Sequence, residues 1–98
     1  MLSKETIKSQ LISLSHTCSD LEVGITARDM HEILIQSRIL SHMAAECDAA
    51  LLRDTSQEIE RCAIAGDLDA ACSLISVLNQ RLQKALGALR QQIKAPLI

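Results

Sequence analysis

The chain contains no Phe, Tyr or Trp. Without aromatic rings it has no platform on which to stack bases and no aromatic anchors to offer a partner. Glycine occurs three times and proline once in 98 residues. So few turn-forming residues exclude an architecture of many short strands and favour helices. A dominant charge is missing too: ten Lys and Arg stand against twelve Asp and Glu, a net charge of −2. A nucleic-acid binder would carry a basic excess along one face. No apolar run reaches the roughly 18 residues of a membrane span. Met1-Leu2-Ser3 does not open a signal peptide. These absences predict a soluble, cytoplasmic chain with neither nucleic acid nor membrane as partner.

Cys18, Cys47, Cys62 and Cys72 form no Cys-x-x-Cys pair. Their even number permits disulfides, but a chain without an export signal is expected to keep them reduced. His16-x-Cys18 is too short a fragment for a zinc site. Four buried structural thiols are expected, and no metal or cofactor. Nor is there a Gly-rich phosphate loop or a Ser/His/Asp spacing, so no enzyme is expected.

What is present is apolar surface in regular order. Apolar residues make up 48% of the chain, too many for a disordered one. Ile7, Leu11, Leu14, Cys18, Leu21 and Ile25 alternate at helical spacings, with Ser3 as N-cap and Glu5 near the positive end of the dipole. Asp29 and Glu32 read as a capping box for a second helix. Its core stripe is Met30, Ile33, Ser37, Leu40, Ala44 and Cys47, with Leu34 at the edge. Asp48 reads as the next cap, before a stripe of Leu52, Thr55, Ile59 and Cys62. Gly66-Asp67 is the clearest punctuation: a left-handed residue after one helix, a cap for the next. One long final helix then buries Ala71, Ile75, Leu78, Leu82, Ala85, Leu89 and Ile93 and stops near Lys94, because Pro96 bars continuation.

Ala27-Arg28-Asp29-Met30 is echoed by Ala65-Gly66-Asp67-Leu68, offset by 38 residues. Two similar hairpins joined by a short turn predict a single domain over residues 1–98, an all-α, antiparallel up-down-up-down four-helix bundle. A core this small leaves little surplus stability, so a partner or dimer contact is expected to matter.

From about Asp29 onward the chain resembles the histidine-containing phosphotransfer (HPt) domain of bacterial phosphorelays. Asp29 stands where that family often begins its phosphorylated helix. Leu52, Thr55, Ser56, Ile59 and Glu60 follow the third-helix pattern, with Thr and Ser replacing Leu and Cys. Ala65-Gly66-Asp67-Leu68 matches the family's Ala-Gly-Asp turn without a gap. The same register lays Ser37-Arg38-Ile39-Leu40-Ser41-His42-Met43 on the active motif. Leu40 fits, but the phosphoacceptor His becomes Arg38. The motif's Lys becomes Ser41, its Gly becomes His42 and its Ser becomes Met43. The resemblance implies a degenerate member with the scaffold kept and the chemistry lost. Arg38 is always protonated and has no lone pair with which to attack phosphorus. The implied partner is a response-regulator receiver domain or another signalling protein such as a kinase. Clustered carboxylates of a receiver pocket would attract the guanidinium without reacting.

The expected partner-binding face is therefore His31, Ile35, Arg38, Ile39, Ser41 and His42, with no catalytic residue. Each member has a blander reading. His31 and His42 are also plain solvated side chains, and His42, about 6 Å beyond Arg38 along the helix, could instead serve as a displaced phosphoacceptor. Ile35 and Ile39 form either an exposed apolar patch or, with the helix rotated, a partly buried edge. Leu51, Leu74 and Val77 suggest either a homodimer seam or a thick core. Glu58, Glu60, Asp67 and Asp69 read as caps and solvated faces rather than acid–base pairs. Arg81, Lys84, Arg90 and Lys94 suit the end of the last helix better than an RNA or lipid patch. The rival function is a small helical chaperone or assembly partner of a bacterial secretion system, which would bind client helices through the apolar stripes themselves.

Overall fold

Local chemistry sets the helix boundaries. The structure is a computed structural model describing residues 3–94; Met1, Leu2 and Pro96 lie outside the described residues. Ser3 Oγ accepts from the Thr6 amide at 3.1 Å and starts α1, Lys4–Thr26. Asp29 Oδ1 accepts from the Glu32 amide at 3.2 Å and starts α2, Met30–Glu46. Asp67 Oδ1 accepts from the Ala70 amide at 3.1 Å and starts α4, Leu68–Ser73. Between them lies α3, Ala50–Ile64, and α5, Ile75–Lys94, follows. The described residues are helical with short turns and contain no strand.

The echo between the first and third turns is real, and the second turn shares it. α1, α2 and α3 each close with a left-handed residue: Arg28 at φ 56°, Asp48 at φ 62° and Gly66 at φ 74°. In each case the next amide reaches back five residues, Asp29 to the Gly24 carbonyl, Ala49 to Ala44 and Asp67 to Cys62, at 2.8–3.0 Å. This is the Schellman closure, which satisfies carbonyls the helix end leaves free.

Three expectations are corrected here. Asp48 is not an N-cap. It occupies the left-handed position that closes α2, and Ala49 precedes α3 without any side-chain cap bond. The Asp29–Glu32 box is half formed, because the Asp29 amide is already bonded to Gly24 and the Glu32 carboxylate accepts from Gln36 Nε2 at 2.8 Å. The long final helix is two helices broken at Leu74. Ser73 Oγ donates to the Ala70 carbonyl at 2.8 Å, the acceptor a regular helix would offer to the Leu74 amide. That amide bonds Ala71 instead, at 3.1 Å, in a tighter turn.

The core is a single cluster drawn from every helix, with Leu14, Leu21, Ile25, Ile33, Leu40, Leu52, Ile59 and Leu78 fully buried. Helix α1 packs on α2 and α5, and α3 packs on α2, α4 and α5. The stripes read from periodicity are mostly the buried faces, with differences at their ends. Met30 is exposed, while Leu11, Ile75, Ala85 and Ile93 are half-buried. Leu86, outside the expected stripe, is buried. Gly24 is buried where α1 meets α2, and a Cβ there would lie 3.3 Å from Glu32 Cγ. The molecule is a rod of 51 × 18 × 17 Å, thin enough that helix surfaces remain open to solvent.

Among the described residues no helix is long and apolar enough to cross a membrane. Only Cys18 of the four free thiols is buried; Cys47, Cys62 and Cys72 are half-buried, contrary to the expectation of four interior thiols.

Candidate partner-binding face

The face opposite the α2 core stripe carries five of the six expected residues. His31, Ile35, Arg38, Ile39 and His42 are exposed, and Ser41 is half-buried. Because Ile33, Ser37, Leu40 and Ala44 are all buried, α2 cannot be rotated to hide the isoleucines. Ile35 is 38% exposed and Ile39 43%. Both isoleucines thus lie on the outward side of α2, each with more than half of its surface covered.

Arg38 sits at the centre. Its Nε–H donates to Glu60 Oε2 of α3 at 3.1 Å. Among the described residues Nη1 and Nη2 of Arg38 donate no hydrogen bond. Glu60 is more sheltered than the arginine, its side chain 27% exposed against 60%. Such a surface pair contributes at most about 1 kcal/mol to stability. Met43, which takes the place of the HPt motif's Ser, is half-buried and accepts from Thr17 Oγ1 of α1 at 3.4 Å. Ser37 Oγ donates to the Leu34 carbonyl at 3.3 Å and faces the core.

The acidic residues near the α3–α4 turn are individually engaged. Glu58 pairs with Arg61, Glu60 with Arg38 and Asp69 with Arg28, while Asp67 caps α4. Their carboxylates do not form an acid–base pair. Arg81 has a role that its sequence position did not suggest. Its Nη1 donates to Thr55 Oγ1 at 2.7 Å and lies 3.4 Å from the Leu51 carbonyl, tying α5 to α3. The polar interruption at Thr55 was the only available signal for it. Leu51 is exposed, whereas Leu74 and Val77 are half-buried, so these three do not form one open apolar surface.

Two further features escaped sequence reasoning. A groove of about 520 Å³ runs between α1 and the end of α2, lined by Thr6, Ser9, Gln10, Ser13, Met43 and Cys47 among others. Within it Gln10 Oε1 is buried and has no partner among the described residues. Serine and threonine on a solvated helix face carry no pattern that would announce a groove. His16 and Cys18 do not come together: His16 is exposed, 3.7 Å from Asp20, and Cys18 is interior. Among the described residues no three His, Cys, Asp or Glu side chains gather as a metal site would require.

Compared with known protein families, curated proteins and solved structures, the chain matches none.

Proposed function

We propose that the chain is a non-catalytic, HPt-like signalling adaptor that binds a receiver or kinase partner in the cytoplasm without carrying phosphate. In this reading α1, α2, α3 and the α4–α5 pair are the four members of an antiparallel up-down-up-down bundle. The packing of α1 on α2 and α5, and of α3 on α2 and on α4–α5, supports that arrangement. The observation that carries the function is Arg38, exposed on the outward face of α2 between two exposed isoleucines; the HPt resemblance aligns it with the phosphoacceptor position. A protonated guanidinium has no free lone pair with which to take a phosphoryl group as a neutral imidazole does. It can form charge-assisted hydrogen bonds to clustered carboxylates such as those of a receiver pocket, while Ile35 and Ile39 bury against the rim.

The alternative, a helical chaperone or assembly partner, would offer its core stripes to a client. Burial of Leu14, Leu21, Leu40 and Leu78 supports the adaptor over that reading. Thermal melting separates the two: an adaptor gives one sharp monomeric transition, a chaperone a broad or concentration-dependent one. Affinity capture from the native cells, with Arg38→Ala and Arg38→Asp baits in parallel, tests the face. Recovery of a receiver-containing protein that both substitutions reduce supports the proposal. A helical client captured regardless of Arg38 would put the assembly reading first. Phosphate carried on the chain and lost in His42→Ala would show an active relay instead.

A further inference from the structure

α4 is held to the bundle more lightly than any other helix. It has six residues, and Ala71 is the one among them that is buried. By contrast α2 and α5 bury four residues each, α3 five and α1 six. A helix this short is not stable alone, because its first turn fixes several dihedrals for each hydrogen bond gained. α4 therefore exists through its packing on α1 and α3. Two contacts tie it to the end of α1. Cys72 Sγ lies 3.9 Å from the Ile25 carbonyl. Asp69 pairs with Arg28, which closes α1, across open surface, the side chains 84% and 55% exposed. Both flanks of α4 can turn. Gly66 before it is exposed, at φ 74°. Leu74 after it already departs from regular bonding, its amide reaching Ala71 three residues back.

We propose that α4 is a latch: it opens as a unit, turning at Gly66 and Leu74, while the rest of the bundle stays folded, and the Arg28–Asp69 pair holds it closed. Opening uncovers Ala71 and the half-buried Leu68, Ala70 and Cys72, and it breaks one exposed ion pair. In return six residues regain backbone freedom. Global unfolding must in addition uncover Leu21, Leu40 and the rest of the shared core, so it lies well above the opening of α4 in free energy. The open form releases the Cys72 thiol from the Ile25 carbonyl and leaves the end of α1 without its cover. The latch acts at the α1–α4 contact and does not depend on what α2 binds.

Hydrogen exchange followed by NMR on the full chain, in urea concentrations below the unfolding transition, tests the latch. The Ala71 and Leu74 amides, bonded to the Asp67 and Ala71 carbonyls, report on α4. Those of Leu21 and Leu40, both fully buried residues, report on the core. The latch requires protection factors at Ala71 and Leu74 at least about tenfold below those at Leu21 and Leu40, with a weaker urea dependence. Two substitutions then act differently. Ile7→Val weakens a buried contact at the other end of α1 that the open form keeps. It should lower protection at Leu21 and Leu40 about 2- to 10-fold and leave Ala71 and Leu74 unchanged. Arg28→Met removes a pair that is lost in both the open and the unfolded forms. It should lower protection at all four amides about 2- to 5-fold, and have no such effect when Asp69 is already replaced in Asp69→Ala. If the α4 amides match the core amides in protection and urea dependence, or respond to Ile7→Val as the core does, α4 unfolds only with the whole molecule and the latch is overturned. If Arg28→Met leaves Ala71 and Leu74 unchanged, the ion pair does not hold α4 closed and the proposal fails at that point.

Discussion

Identical residue types behave differently here because of where they are held. Burial, with a smaller contribution from Glu22, pushes the Cys18 thiol up to about 12. Desolvation raises Cys47 and Cys62 as well, but these sit at half-buried positions. At pH 8 a thiol reagent should therefore label Cys47, Cys62 and Cys72 in the native chain and reach Cys18 only on unfolding, which mass mapping would show. The pH dependence has a definite sign. Above about pH 9 the unfolded chain ionises Cys18 while the native chain keeps it protonated, so stability falls with rising pH. Below that range Cys18 is protonated in both states and adds no pH dependence. Urea titration should show that Cys18→Ala, less stable at pH 7, loses less stability between about pH 9 and pH 11 than the wild type. Backbone conformation supplies a second contrast. Asp48 at φ 62° carries a left-handed strain that Gly66 at φ 74° avoids. Asp48→Gly should raise stability by about 0.5–1 kcal/mol and Gly66→Ala lower it by about 1 kcal/mol. Each kilocalorie should move the melting temperature by about 4–8 °C in a domain this size.

At the scale of the helix, ends matter more than middles. α1, α2 and α4 each begin with a side-chain oxygen bonded to an amide of the first turn, and α3 does not. Asp67→Ala should cost about 1 kcal/mol in denaturant unfolding. No comparable cap is available to lose at Ala49. The break at Leu74 coincides with the bond from the Ser73 hydroxyl to the Ala70 carbonyl, although Ser37 makes the same kind of bond to Leu34 inside an unbroken α2. Ser73→Ala should let the Leu74 amide bond the Ala70 carbonyl, slow its hydrogen exchange, and merge α4 with α5. The periodic pattern runs through this break because one irregular residue shifts the buried face too little to disturb it.

Stability of the molecule as a whole resides in the shared core. Leu21→Ala or Leu40→Ala should cost about 2–5 kcal/mol, because both side chains are fully buried and the surrounding helices can close the cavity only in part. Ile12→Ala, at a site 70% exposed, should stay within about 0.5 kcal/mol of wild type. Comparing the three in one set of urea titrations checks that the stripe, and not apolar content, carries the fold. The rod shape has a functional corollary. With the interior filled by side chains from all five helices, contact with any other molecule falls on helix surfaces, of which the proposed α2 face carries Ile35, Arg38 and Ile39.

Helix content, the apolar stripes and three of the caps were legible in the sequence, because each depends on residues within one turn of each other. Ser3, Asp29 and Asp67 announce themselves through hydrogen bonds made three residues away. The exposure of His31, Arg38 and His42 followed equally from helical spacing. Tertiary structure decided what spacing leaves open. It made Asp48 a left-handed closure instead of a cap, since the choice depends on where the Ala49 amide finds its carbonyl. It placed Ile35 and Ile39 outside, since their exposure depends on which neighbours α2 packs against. It joined Arg38 to Glu60 across 22 residues and Arg81 to Thr55 across 26. Local pattern is written in the sequence because hydrogen bonds and helical pitch act over a few residues; side-chain pairing between helices waits for the fold that brings them together.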